Sequence, residues 1–311
     1  MLNLIRNENT KIYRRMRTWI MFLLLASLVI GISYLMQHNQ PNTGDWRQTL
    51  TAQNADYKAS MQDSKISAGA ADYYTKHLAI NEYRLDNDLA PLDYTVWGNV
   101  LEMANLIMLV TIFTVIVAAD SIAGEFTGGT IKLLLVRPHS RGKVLLSKYL
   151  SSLLFSIGML LFLFLTSYVT NGILCGFDGT SLPYVYMSAD GIIHQQSTLL
   201  HVLSTYGLSS VTLLMTVTVA FTISTVFRSS SLSIGLSMAI MFLSDSFIQM
   251  LSRYSWIKYY LFANTHLMDY IEGTPLRPEM TLSFSLIVLA VYFVGLNLLS
   301  WTIFSKRDVA A

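Results

Sequence analysis

Residues 120–148 read DSIAGEFTGGTIKLLLVRPHSRGKVLLSK, and this charged, glycine-containing stretch decides how the chain is organised. It lies between two long apolar runs, 100–119 and 149–174, and carries five Lys or Arg against two acids, Asp120 and Glu125. Short loops with a basic excess beside a membrane span stay on the cytoplasmic side. We therefore expect a cytoplasmic connection between two spans, placed where it can meet a soluble partner.

The composition of the whole chain is that of a membrane protein. Of its 311 residues, 53% are hydrophobic and 13% are charged, whereas charged residues make up about 25% of a typical soluble domain. A net charge of +2 is too small to predict binding of nucleic acid. The single cysteine, Cys175, excludes an intrachain disulfide framework and a multi-cysteine metal site.

Six apolar runs are long enough to cross a bilayer as helices. A hydrocarbon core of about 30 Å needs about 20 residues, and backbone polar groups in lipid must be hydrogen-bonded within the helix. The first run lacks the small-residue cleavage pattern of a signal peptide, so we expect it to be retained. The predicted spans are 18–36, 100–119, 149–174, 206–227, 232–251 and 282–304.

The distribution of basic residues predicts the orientation. With six spans and the N-terminus inside, thirteen of the 21 Lys and Arg lie on the cytoplasmic side and eight lie outside. Five of those eight fall in the segment 37–98, which is long enough to be translocated whatever its charge. The bias therefore predicts that both termini are cytoplasmic.

The segments between the spans also have predicted forms. Residues 1–17 mix apolar and basic side chains at helical spacing, which is typical of an amphipathic helix in the membrane interface. We expect a helical hairpin in the outer loop 37–98 and a second outer loop at 175–205. The aromatic and partly charged segment 252–281 predicts short re-entrant or surface-lying helices, and 305–311 is a cytoplasmic tail.

Sequence motifs of nucleotide binding and hydrolysis are absent from this sequence. It contains no G-x-x-x-x-G-K-[ST] loop to cradle a phosphate and no H-E-x-x-H pair to bind zinc. No G-x-S-x-G nucleophile motif occurs. His194 and His201 are interpreted as ordinary histidines, so we expect no metal, no catalytic residue and no enzyme activity from this chain alone.

The 120–148 stretch also carries a pattern of residues suited to contact a partner. Gly128 and Gly129 permit a tight turn, and Thr130 is suited to cap the helix that follows. We expect Glu125 to hold the stretch against the N-terminal helix through Arg14, Arg15 or Arg17. The pattern consists of Asp120, Glu125, Gly129, Thr130, Ile131, Leu134, Pro138, Ser140, Arg141 and Lys148.

This pattern resembles the cytoplasmic loop of ABC-2 family permeases, the transmembrane subunits of ATP-binding-cassette transporters. The resemblance covers the layout of the whole chain, and the long first outer loop is similar to the bacterial branch with an enlarged first extracellular loop. It implies an all-α polytopic fold of the type V exporter kind, with six transmembrane helices, an N-terminal interfacial helix, a cytoplasmic coupling helix and re-entrant helices before the last span.

The resemblance also implies partners and a location. The coupling helix would dock into a cleft on a separate ATPase subunit, present in two copies, which binds ATP and Mg while this chain binds no cofactor. Two permease copies, or one permease and a paralogue, would form a dimer in the bacterial plasma membrane. The implied ATPase-coupling residues are Asp120, Glu125, Gly129, Thr130, Ile131, Leu134, Pro138 and Arg141.

A substrate path along the dimer interface, lined by the second and fifth spans, follows from the same resemblance. Met and Phe side chains suit an amphipathic cargo such as a peptide antibiotic or a lipid-like molecule, although ordinary helix packing explains the same residues equally well. The expected lining residues are Asn105, Met108, Thr111, Thr114, Met238, Met241, Phe242 and Asp245.

The sequence therefore predicts the permease subunit of an ATP-driven exporter. Two other interpretations stay open. The first is a channel or carrier that works without an ATPase, against which the small number of acids within the spans argues. The second is a membrane sensor or scaffold of an antimicrobial-response system, whose outer loops detect a ligand.

Overall fold

Helices account for most of the fold, because the long apolar runs satisfy their backbone hydrogen bonds internally. The computed structural model describes residues 1–38, 45–62, 66–131, 140–177, 182–188 and 190–306. Its helices are α1 (Leu2–Tyr13), α2 (Met16–His38), α3 (Trp46–Met61), α4 (Ala68–Asp86), α5 (Val96–Glu102), α6 (Ile107–Thr127), α7 (Arg141–Cys175), α8 (Thr198–Val226), α9 (Ser230–Leu251), α10 (Met268–Ile271) and α11 (Leu282–Lys306). The strands are β1 (Pro183–Met187) and β2 (Ile193–Ser197).

Six helical stretches of the described chain are long and apolar enough to cross a membrane, which is the layout of a multi-pass membrane protein. Several extend beyond the apolar runs predicted from the sequence. α7 starts at Arg141 and α8 at Thr198, because a helix continues through polar residues that hydropathy does not count. The stretches are Met16–His38, Val96–Thr127, Arg141–Cys175, Thr198–Val226, Ser230–Leu251 and Leu282–Lys306.

The stretch formed by α5 and α6 lies at the centre of the bundle. Val110, Val115, Ala118 and Ala119 of α6 are fully buried, and small and β-branched side chains let neighbouring helices approach closely. α6 packs against α7, α8 and α9. α2, α9 and α11 are the most exposed of the six stretches and therefore form its periphery.

α5 and α6 are separated by a short 3-10 helix, Met103–Leu106. A 3-10 segment within a longer helical stretch has poorer hydrogen-bond geometry and often marks a hinge. Before α5, Gly98 permits a close approach, since a Cβ at this position would lie 2.0 Å from the carbonyl oxygen of Leu92. The chain therefore enters the central helix through a tight, glycine-dependent corner.

The two helices expected in the first outer loop are present as α3 and α4, which pack antiparallel. Asn81 donates a hydrogen bond to Asn54 at 3.0 Å, and both side chains are buried. The ring of Tyr57 on α3 contacts the rings of Tyr74 and His77 on α4. Polar and aromatic pairs, rather than a large apolar core, hold this hairpin together.

A small β-hairpin, which the sequence did not predict, lies between α7 and α8 in this mostly helical fold. β1 and β2 pair antiparallel, with Val185 opposite Gln195, and Gly191 has a positive φ of 78° in the connecting turn. The aromatic and β-branched run of β1 favours a strand. Glycine and serine nearby obscured this signal in the sequence. Tyr184 then stacks on His201 of α8 with ring centroids 3.6 Å apart, which fixes the hairpin to the bundle.

The segment before the last span contains short helices, whose re-entrant or surface-lying position stays a prediction. They are two 3-10 helices, Ser255–Tyr259 and Phe262–Asn264, followed by α10. Asn264 is fully buried and donates hydrogen bonds to the carbonyl oxygens of Lys258 and Tyr260, both at 2.8 Å. Its own side-chain oxygen accepts a hydrogen bond from Ser285 of α11 at 2.7 Å. This one amide therefore holds the segment in a defined shape against α11.

Candidate functional site at the basic end of the bundle

One end of the bundle, which we name the basic end, gathers α1, the start of α2, the last turns of α6 and the first turns of α7. Seven charged side chains meet there and form what we name the ion-pair cluster. Its members are Glu8, Lys11, Arg15, Arg17, Asp120, Glu125 and Lys148.

Asp120 joins three helices at this end. Arg15 Nη1 lies 2.5 Å from its Oδ2 atom, and Arg17 donates to the same oxygen. Ser230, the first residue of α9, donates from its hydroxyl to Oδ1. The side chain of Asp120 is only 8% exposed, so these contacts replace most of its hydration. The start of α2 and the start of α9 are thereby fixed to α6.

Glu125 makes the second half of the cluster. Its Oε1 atom lies 2.9 Å from Nζ of Lys11 and 2.8 Å from Nζ of Lys148. Lys148 also pairs with Glu8 at 2.7 Å, and its side chain is only 3% exposed. Thr130 donates its hydroxyl to the other Glu125 carboxylate oxygen. These contacts connect α1, α6 and α7 at one point.

Lys11 remains charged in this setting. Burial lowers the pKa of its ammonium group, but the hydrogen bond to Glu125 and the charge of Glu8 outweigh burial, so the pKa is raised overall. The attachment of α1 to the bundle therefore stays ionic throughout the neutral pH range.

A cavity of about 360 Å³ lies among the side chains of the ion-pair cluster.

A glycine makes room for the Asp120 carboxylate. A Cβ at Gly124, one turn further along α6, would lie 2.6 Å from Oδ1 of Asp120. The hydroxyl oxygen of Ser224 on α8 accepts hydrogen bonds from the backbone N–H groups of Ile122 at 3.1 Å and Ala123 at 3.0 Å. The end of α6 is thus positioned by α8, while Asp120 faces the starts of α2 and α9 and Glu125 faces α1 and α7.

The predicted coupling residues do not form one common surface in the structure. Gly129 has a positive φ of 67°, which supports the predicted tight turn. Ile131 was expected to offer an apolar face to a partner, but it is buried in this chain beside Tyr149 and Phe304. That expectation is corrected, since α7 and α11 supply the apolar groove themselves. Leu134 and Pro138 lie outside the described residues.

Arg141 has an intramolecular role that the sequence did not suggest. Its Nη1 atom donates a hydrogen bond to the carbonyl oxygen of Ser305 at 3.0 Å, in the last turn of α11. Basic side chains near a helix C-terminus satisfy its free carbonyl groups. Arg141 therefore links the start of α7 to the end of the last helix.

The predicted contact between Glu125 and the N-terminal region exists, but the predicted partners were wrong. α1 ends at Tyr13, so Lys11 of its last turn reaches Glu125, whereas Arg15 and Arg17 lie beyond the bend and reach Asp120. Sequence reasoning did not pair Lys148. The sequence did contain a signal for this pairing: Lys148 stands directly before the apolar run 149–174, and acids occur on the neighbouring helices.

The second and fifth spans meet within one chain, as α6 and α9. Met108, Thr111, Met241 and Asp245 line one cavity of about 330 Å³ between them and the segment 262–269. His266 and Asp269, which sequence reasoning did not select, line it too.

The other predicted lining residues lie elsewhere. Asn105 donates to the Glu102 carbonyl at 3.0 Å, and Thr114 is buried with its hydroxyl donated to the carbonyl of Thr111. Met238 packs against the central core, and Phe242 is half exposed.

Fold and site define a helical, multi-pass membrane protein with a charged cluster at one end of its bundle. A family model described as "Protein of unknown function (DUF2705)" matches residues 82–310. The chain is 40% identical over 316 residues to the "Uncharacterized protein YhcI" of Bacillus subtilis (strain 168), and the alignment covers all of both proteins. The chain therefore belongs to the DUF2705 family.

A second relative from the same organism carries a membrane-protein description. It is the "Uncharacterized membrane protein YdbK", which is 28% identical over 239 residues, or 75% of this chain and 88% of that protein. These matches correct the assignment made from the loop pattern. The family that they define is DUF2705, so the assignment to ABC-2 permeases is wrong.

Proposed function

We propose that this protein is the membrane-spanning subunit of an exporter, driven by a separate ATP-hydrolysing subunit that docks at the basic end. The observation that carries the proposal is the ion-pair cluster. It fastens α1, α2, α7 and α9 to the end of α6. A force applied to the end of α6 therefore acts on all five helices together.

α6 also reaches the region where a substrate would pass. Asp120 and Glu125 lie near one end of this helix, and Ile107, Met108 and Thr111 line the cavity near the other. A helix of this length extends about 30 Å, at a rise of about 1.5 Å per residue. Movement of the basic end is therefore transmitted directly to the cavity wall, next to the 3-10 segment that precedes α6.

A separate motor is part of the proposal because the sequence has no phosphate-binding loop of its own. The basic excess at the cluster end supports a cytoplasmic position for it. Lys143, in the first turn of α7, is exposed, and within the described residues no acid pairs with it. It is suited to contact an acidic surface on the motor.

The test uses the full-length chain purified in mild detergent from its native membrane, together with reconstituted vesicles. We expect an ATP-hydrolysing protein to co-purify and ATP-dependent export to follow. Lys143→Glu should reduce both recovery of that protein and transport by at least tenfold, while Arg253→Glu, an exposed charge at the other end of the bundle, should change neither. Transport that proceeds without any ATPase would remove the proposal.

A second function is favoured by one specific observation. His266 Nε2 lies 3.4 Å from Asp245 Oδ1 at the cavity, and paired ionisable side chains of this kind mark ion pathways in membrane proteins. This arrangement favours an ion-coupled carrier. Transport that persists without ATP and stops when the proton gradient is dissipated would support the carrier instead of the exporter.

A further inference from the structure

We infer that the cavity between α6, α8, α9 and the segment 262–269 binds an amphipathic organic cation. The apolar body of the ligand lies against the helices. Its protonated group lies at Asp245 and Asp269, which together we name the acidic rim. This inference rests on the proposed exporter and names the class of its substrate.

The cavity has the size of a small-molecule site. Its volume is about 330 Å³, and ligand pockets commonly range from about 300 to 1,000 Å³. A second cavity of about 390 Å³ adjoins it, since Asp245, His266 and Asp269 line both. The space continues past the acidic rim, so a ligand longer than one cavity can be accommodated.

The inner wall is apolar and adaptable. It is formed by Met108, Leu208, Met241, Phe262 and Leu267. Thioether and aromatic side chains adjust to irregular apolar shapes without losing contact. Transfer of an apolar ligand body from water to this wall is favourable by about 25 cal/mol per Å² of surface buried.

The charge of the two cavities is acidic. Their titratable lining residues are Asp245, His266, Asp269 and Tyr270, and the described lining includes no Lys or Arg. Asp245 is paired with His266 at 3.4 Å, but Asp269 has no ion pair among the described residues. An anion would therefore meet repulsion in this space, whereas a cation supplies the missing counter-charge.

The environment of Asp269 supports the same conclusion. Burial raises the pKa of its carboxyl group, and the charge of His266 opposes this rise without cancelling it. Glu272 lies close enough to interact with it, and burial raises the pKa of that carboxyl group as well, against the effect of Lys76. Asp269 is thus an under-compensated acid at the cavity, and a bound cation would favour its ionised form.

The wall opposite α6 is held in place before any ligand arrives. Thr212 of α8 donates its hydroxyl to the carbonyl oxygen of Thr265 at 2.7 Å. The neighbouring Asn264 fixes the segment through the carbonyls of Lys258 and Tyr260 and through Ser285. A wall with satisfied hydrogen bonds does not lose conformational entropy again on binding.

An organic cation fits these groups better than a metal ion. In the described part of the chain, no three His, Cys, Asp or Glu side chains are grouped closely enough to hold a metal. The acidic rim supplies charge without a coordination cage, and the wall supplies apolar surface that a metal ion cannot use. The acidic rim and the apolar wall together match a single ligand that has a cationic group at one end and an apolar body at the other.

The inference is tested by equilibrium binding to the full-length chain in lipid nanodiscs, with empty nanodiscs subtracted. The probe is tetraphenylphosphonium, and its control is tetraphenylborate, an anion of the same shape. We expect saturable binding of the cation and none of the anion. Asp269→Asn and Asp245→Asn should each weaken cation binding by at least tenfold, because each removes a counter-charge.

Two further variants keep the result interpretable. Asp56→Asn, which removes an exposed acid on α3, should leave binding unchanged. Met241→Trp, which fills the cavity without changing its charge, should abolish saturable binding. This variant tests the inference even if an Asp→Asn variant does not fold. Equal binding of cation and anion, or undiminished binding in folded Asp269→Asn and Met241→Trp, would overturn the inference.

Failure of the inference is distinguishable from failure of the proposed function. Binding is measured on the purified chain and needs no ATPase. Cation binding without ATP-dependent export would leave the site in place and remove the exporter. ATP-dependent export with no saturable cation binding would leave the exporter in place and assign it another substrate.

Discussion

Lys148 shows how much of the basic end depends on one side chain. It is nearly inaccessible and lies between two carboxylates, Glu8 and Glu125. Forming such a pair requires removing charges from water, so its net contribution to stability is small. Breaking it costs more, because the remaining charges stay buried without a partner. Lys148 therefore contributes more to fixing one arrangement of α1, α6 and α7 than to the overall stability of the protein.

Replacement of Lys148 is therefore expected to be costly. Lys148→Met keeps the length of the side chain but leaves Glu8 and Glu125 facing each other, with Lys11 as their remaining partner. We expect a loss of about 3 kcal/mol in the free energy of unfolding. Thermal unfolding in detergent measures it, with Lys143→Met on the same helix as the exposed control. Equal stability of the two variants would contradict the ion-pair account.

A glycine gives a second prediction for a single residue. Gly98→Ala places a methyl group against the backbone carbonyl of Leu92, which cannot move aside as a side chain can. We expect a loss of about 1–3 kcal/mol from overpacking. Gly31→Ala, where nothing lies within 4 Å, is the matched control and should be neutral or slightly stabilising. Thermal unfolding of both variants in one detergent decides the matter.

Among the elements, α1 depends most on charge. The described contacts that bind its charged side chains to the bundle run through Glu125 and Lys148, whereas Asp120 binds the residues after it. α1 also packs along α7, and Ser151 donates a hydrogen bond to the carbonyl of Ile5 at 3.3 Å. The two acids of α6 thus control neighbouring but different elements.

This division predicts a difference between two variants. Glu125→Gln should increase amide hydrogen exchange in residues 2–13, because α1 loses one of its two ionic attachments to the bundle. Asp120→Asn should instead increase exchange around 14–18 and at the start of α9, through loss of Arg15, Arg17 and Ser230. Exchange followed by mass spectrometry measures both, with Glu82→Gln on α4 as the control. Identical exchange patterns in the two α6 variants would show that the cluster acts as one undivided unit.

How far sequence reasoning succeeded also differs by element. The long apolar runs could be identified, because about 20 apolar residues in succession have few other uses. The hairpin of β1 and β2 was missed, since five-residue strands carry a weak signal beside Gly191 and Ser188. Helix ends were missed where polar turns such as 141–148 continue an apolar helix.

For the whole molecule, the arrangement of the two ends matters most. The ion-pair cluster and the acidic cavity occupy opposite halves of the bundle, and α6 contributes to both. Orientation in the membrane then decides which end meets a cytoplasmic motor. The excess of basic residues near the cluster predicts that this end is inside.

Labelling measures that orientation directly. Cys175→Ser removes the single cysteine, after which Lys143→Cys and Asp56→Cys report on opposite ends of the bundle. We expect a membrane-impermeant maleimide to label position 56 in intact cells and position 143 only after the membrane is opened. Labelling of position 143 from outside would place the basic end on the exterior and remove the proposed docking of a cytoplasmic motor.

The sequence alone determined the number of candidate spans and the uneven distribution of basic residues, because both follow from composition along the chain. Tertiary structure decided which charges pair. Lys11, Glu125 and Lys148 are far apart in sequence and meet only because α1, α6 and α7 pack at one end. It also brought Asp269 and His266 to the cavity wall formed by Met108 and Met241. Such sites depend on helix packing and helix ends, which local sequence patterns leave undetermined.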